Sequence, residues 1–97
     1  MTLQTKSDMR PISTLLNENS HRWTRAAQGS TDGKPSVTIV SDSKEQKNIL
    51  ADLLIEDYSP MLTVKPDEMR QIVLISKDDE GTQMLVQLCE DIKEALN

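Results

Sequence analysis

Apolar positions recur along the chain in short blocks, separated by polar and Gly/Pro-rich breaks. The spacing within each block predicts an element. Residues 1–9 are polar and predict a frayed terminus. Pro11 suits the first turn of a helix. Ile12, Leu15, Leu16, Asn19 and Trp23 follow it at helical spacing, all but Asn19 apolar or aromatic. The polar run Asn17-Glu18-Asn19-Ser20 interrupts that stripe. Ser20 alternatively caps a second short helix from His21 to Gln28, closed by Gly29. Gly29-Ser30-Thr31-Asp32-Gly33-Lys34-Pro35-Ser36 has no periodicity and the composition of a linker, so it predicts a module boundary.

Val37, Ile39 and Val40 form the first β-like run. Its near-continuous apolar character suits a strand covered on both faces or lying mid-sheet. Ser43-x-x-Gln46 fits a capping box and opens a helix from about Lys44 to Asp57. Ile49, Leu50, Leu53 and Leu54 are its expected core stripe. Ile55 and Tyr58 widen the stripe beyond the needs of one sheet face, which points to a second buried contact. Ser59-Pro60 stops this helix. Met61 to Lys65 alternates as a strand, and Gln71 to Ser76 is a bounded run of apolar and β-branched residues. The two predict a hairpin with a loop of about five residues. Asp78 or Asp79 caps a last helix, and Asp79 and Glu80 favour its positive end. Gly81 weakens its first turn. Met84, Leu85, Leu88, Cys89, Ile92, Ala95 and Leu96 make one broad buried face, with Val86 off it.

The expected organisation is a partly helical arm over residues 1–28, a linker over 29–36 and a compact domain over 37–97. The domain order is β-α-β-β-α. A strand-helix-strand connection is expected to be right-handed and parallel, and the following hairpin adds an antiparallel strand. The fold class expected is a two-layer α+β (α/β) sandwich with a small three-stranded mixed sheet and two helices on one face. The other sheet face has no cover within 37–97, so the arm or a second chain is expected there. This order of elements resembles that of ferredoxin-like and regulatory ligand-sensing domains. It carries no motif and implies no residue role.

Composition narrows the picture. Ninety-seven residues make one small domain with one Trp, one Tyr and no Phe. Leu, Ile, Val and Met must then build the core, and so modest a core favours self-association. The net charge of −5 is uneven, because residues 1–36 are mildly basic and residues 37–97 strongly acidic. An acidic domain repels nucleic-acid phosphates and favours basic partners. The lone Cys89 excludes an intramolecular disulfide. The first eight residues hold no apolar run of signal-peptide length, and no stretch approaches the 18 or so apolar residues of a membrane span. A cytoplasmic setting without membrane contact is therefore expected.

Candidate chemistry is sparse. The turn Ser41-Asp42-Ser43-Lys44 places two hydroxyls at a helix N-terminus, but it lacks a Gly-rich loop and Asp42 repels anions, so a helix cap is the simpler reading. His21-Arg22-Trp23-Thr24-Arg25 combines a ring with cations and suits a protein hot spot or a stacking site for single strands. Asp78-Asp79-Glu80 lacks the spaced oxygens and central Gly of a calcium loop. One His and one Cys exclude the common zinc frameworks. No catalytic, cofactor-binding or metal-binding residue is assigned, and an enzyme is not expected. The function expected is a small acidic protein-binding module that regulates or inhibits a partner with a basic surface, as a homodimer. His21, Arg22, Trp23, Arg25, Leu54, Ile55 and Tyr58 are its candidate partner-binding residues. A nucleic-acid-associated regulator using the basic arm, and a small-ligand sensor using the Ser41–Lys44 turn, are the alternatives.

Overall fold

The computed structural model describes residues 11–96, with side chains described as far as residue 91. Helix α1 (Ile12–Glu18) follows Pro11 and leads through one 3-10 turn (Ser20–Arg22) into strand β1 (Trp23–Thr31). Strand β2 (Lys34–Ser41), helix α2 (Lys44–Tyr58), strands β3 (Leu62–Pro66) and β4 (Gln71–Ser76), and helix α3 (Asp79–Leu96) complete the chain.

The sheet has four strands in the order β1-β2-β4-β3, and every neighbouring pair is antiparallel. This corrects the expected three-stranded mixed sheet in two places. The expected linker is not a linker. Gly29 to Thr31 ends β1, Lys34 to Ser36 begins β2, and Asp32-Gly33 turns between them. Both turn residues have positive φ, 54° and 77°, which is the backbone of the tight hairpin turn whose twist matches the strands. Residues 23–28 are likewise not helical. Pairing with β2 outweighs the helix propensity of Ala26 and Ala27. The second correction concerns the crossover. β2 and β3 are each antiparallel to β4, so they run in the same direction as expected, but β4 lies between them. The unit is a split β-α-β.

Buried side chains from all three helices and from alternate strand positions form one cluster, so the helices share one face of the sheet. Val37 and Ile39 of β2, Ile72 and Leu74 of β4, and Leu62 of β3 point into it. Ile12, Leu15 and Leu16 of α1 are also within it. Helix α1 thus lies in the helix layer, while Trp23 to Gln28 of the expected arm belong to the sheet and residues 1–10 lie outside the described residues.

The core stripe of α2 is rotated from the expected one. Lys47, Leu50, Ala51, Leu54 and Tyr58 are buried, while Ile49 turns outward and is 43% exposed. The extra width read at Tyr58 is met by the chain itself, because its hydroxyl donates to the Pro11 carbonyl at 3.1 Å. The buried Lys47 ammonium donates to the Asp67 carbonyl at 2.7 Å and ties α2 to the β3–β4 loop. Short polar side chains hold the element ends. Ser43 Oγ accepts from Gln46 N–H at 3.1 Å, and Asp78 Oδ1 accepts from Gly81 N–H at 2.8 Å. Asp67 Oδ1 accepts from the N–H groups of Met69 and Gln71 and shapes the turn between β3 and β4.

Gly81 has a packing reason that its helix propensity hides. A Cβ at this position would overlap the carbonyl oxygen of Met61 and stand 3.2 Å from Leu62 Cδ2. Propensity alone would make Gly81→Ala stabilising by up to about 1 kcal/mol. Overpacking against backbone acts the other way, by about 1–3 kcal/mol. Urea unfolding of Gly81→Ala is expected to show a net loss of about 1–2 kcal/mol, and an unchanged or raised midpoint would refute the close approach.

Candidate partner-binding surfaces

The residues singled out from sequence do not form one patch. Trp23 is half-buried against the core, and its indole Nε1–H donates to the Leu16 carbonyl at 2.8 Å. The ring therefore fastens the start of β1 to α1. Arg22 Nε donates to Asn19 Oδ1 at 3.0 Å and its guanidinium to Gln46 Oε1 at 2.7 Å. These bonds clamp the 3-10 turn onto the first turn of α2. His21 is exposed. Arg25 is exposed too, but it belongs to the sheet, paired with Val40 past an irregularity between Trp23 and Arg25. Leu54 and Tyr58 are fully buried and present no surface. Of the apolar candidates on α2 only Ile55, 41% exposed, reaches solvent.

The turn after β2 is occupied by its own chain. Ser43 caps α2, and Arg70 donates to the Asp42 carbonyl at 3.4 Å. Ser41 Oγ is buried with no hydrogen-bond partner. Asp78 is committed to capping α3. Among the described residues no group of three or more His, Cys, Asp or Glu is placed to hold a metal ion. Among them also, no helix is long and apolar enough to cross a membrane.

Two surfaces stand apart from those candidates. The first is the outer side of α2. Glu45, Ile49, Asp52 and Glu56 are all exposed and follow at i, i+4, i+7 and i+11, one stripe along the helix. Ile55 lies beside Asp52 and Glu56. Two half-exposed isoleucines thus stand among three carboxylates. The expected core stripe placed Ile49 inward, but burial of Lys47 and Ala51 beside Leu50 and Leu54 turns it to solvent.

The second surface is the sheet face away from the helices. The four strands contain no acidic residue, and their charges are Arg25, Lys34 and Lys65. By strand alternation all three fall on this outer face, around Thr38, Val40, Val73 and Ile75. The acids of the domain sit in helices and turns. Charge is therefore separated by layer, basic on the sheet and acidic on the helices, which the arm-against-domain division read from sequence blurred.

Compared with known protein families, with curated proteins and with solved structures, the chain matches none.

The Trp23 geometry gives a direct check. Trp23→Phe is expected to cost about 1 kcal/mol through the lost indole hydrogen bond, measured by chemical denaturation. Unchanged stability would mean that the ring is not fastened to α1.

Proposed function

We propose that this chain is a small protein-binding module that regulates or inhibits a partner protein by presenting the outer side of α2 to a basic surface. The observation that carries the reading is the stripe Glu45-Ile49-Asp52-Glu56 with Ile55 beside it. Apolar side chains ringed by like charges suit an interface in which burial supplies affinity and charge supplies steering and selectivity. The three carboxylates select for basic partners. A cytoplasmic setting goes with it, since the single Cys89 has no second cysteine in the sequence to pair with.

Native-lysate capture on the full chain after nuclease treatment tests this. Asp52→Arg with Glu56→Arg changes exposed positions only, so the fold is kept. The double variant is expected to weaken capture of the stoichiometric partner at least about tenfold, as like charges now face each other. Equal capture by parent and variant would remove α2 from the interface.

Self-association is a further part of the proposal, with the outer sheet face as its surface. Val40 and Val73 lie centrally there, with Ile75 beside them only 8% exposed. A sheet-to-sheet dimer would bring Arg25, Lys34 and Lys65 of two copies together, so salt screening is expected to strengthen it. Light scattering is expected to show a dimer whose fraction rises with ionic strength. A monomer at every salt concentration contradicts the dimer. The same basic face supports the nucleic-acid alternative, whose binding would weaken with salt instead.

A further inference from the structure

We infer that the free edge of β1, with the groove beside it, binds an extended segment of another protein by strand addition, seating an apolar side chain of that segment against α3. This goes beyond the α2 reading and stands at the other edge of the sheet from β3, against which α2 packs.

The two sheet edges are built differently. β3 is five residues long and ends in Lys65-Pro66, features that blunt an edge against pairing. β1 is nine residues long, contains no proline and carries one charge, Arg25. No described strand pairs with its outer side.

The turn sets which groups that edge offers. Thr31 and Lys34 close a two-residue turn and so exchange hydrogen bonds, as do the alternate pairs Gly29–Ser36 and Ala27–Thr38. The intervening pairs do not. Pro35, which has no N–H, sits in one of these, opposite Ser30. The N–H and C=O groups of Ala26, Gln28 and Ser30 therefore point outward, away from β2. Their side chains point to the helix layer, since Ala26 pairs with Ile39 and packs on the core. A strand added here would turn alternate side chains the same way.

What it would meet is a cavity of about 520 Å³ between the hairpin and α3. Gln28, Ser30 and Pro35 line it on one side, and Leu85, Val86 and Cys89 on the other. Val86 is 49% exposed, although it is apolar. Edge hydrogen bonds next to an apolar groove are the recognition chemistry of an extended peptide, the backbone giving affinity and the pocket giving selectivity. A second copy is the poorer occupant. Its own β1 would offer Ala26, Gln28 and Ser30 to the groove, which are small or polar and leave it unfilled. The fitting segment carries a large aliphatic or aromatic side chain, with a basic residue near Glu90, which also lines the groove.

The test selects displayed random linear peptides on the full-length chain and then uses them as synthetic probes. Selected peptides are expected to share a large apolar residue and a nearby Lys or Arg. Their affinity is expected to fall at least about tenfold in Val86→Glu and in Gln28→Pro. Val86→Glu changes an exposed helix position, so it stays informative if the proline variant fails to fold. In the free chain the amides of Ala26, Gln28 and Ser30 are expected to exchange faster with deuterium than those of Ala27, Gly29 and Thr31. Bound peptide is expected to slow the first three. No selected peptide that distinguishes the parent from Val86→Glu, or bound peptide that leaves those amides fast, would overturn the inference. So would a free chain that already protects them with rising concentration, because a second copy would then hold the edge. The α2 double variant is expected to bind these peptides normally, so the two proposals fail separately.

Discussion

The insertion of β4 between β2 and β3 is the constraint on which the rest of the structure depends. Val37 lies opposite Leu74 and Ile39 opposite Ile72, and all four side chains are at most 1% exposed. With no Phe and one Trp, the core has few large rings to spend, so aliphatic cross-strand pairs carry the centre. Because β4 takes the middle, α2 has to carry the chain from β2 past it to the far edge. α3 then returns over β4 and β2. The room left in the helix layer is filled by α1, whose three buried residues complete the core.

That arrangement decides which surfaces remain. Three helices over four strands bury one sheet face, and no described helix packs on the other. The strands, holding Arg25, Lys34 and Lys65 without an acid, place basic charge on that second face. The helices, solvated on their outer sides, carry the carboxylates. Separation of charge by layer gives the molecule two faces with opposite partner preferences, and it disfavours stacking of identical faces at low salt. The acidic stripe of α2 and the β1 edge lie towards different edges of the sheet, so the chain has room for two contacts at once.

Much of the architecture is legible in the sequence. The span of α2, the caps at Ser43 and Asp78, the strand at Gln71–Ser76 and the Met84–Cys89 part of the α3 face follow from periodicity and short-range hydrogen bonding, while Ile92, Ala95 and Leu96 of that face lie outside the described side chains. What was not legible depended on tertiary pairing. Residues 23–31 have too many small and polar side chains to announce a strand, and β2 supplies the partner that makes them one. The Asp32-Gly33 dipeptide was the available signal for the hairpin, outweighed by the linker-like composition around it. At the candidate sites, proximity in sequence misled in the same way. Trp23, Arg22 and Arg25 are neighbours along the chain, but they reach α1, α2 and the sheet respectively. Tyr58 looked surplus because its contact with Pro11, just before α1, leaves no trace in the periodicity of α2.

The central claim is that binding is carried by the outer side of α2 and not by the outer sheet face. Methyl NMR of the full chain, with isoleucine and valine labelled and the captured partner added, reads both faces in one spectrum. The account predicts that the Ile49 and Ile55 methyl signals move while those of Val40, Val73 and Ile75 stay. Movement confined to Val40, Val73 and Ile75 would contradict it and transfer the interface to the sheet.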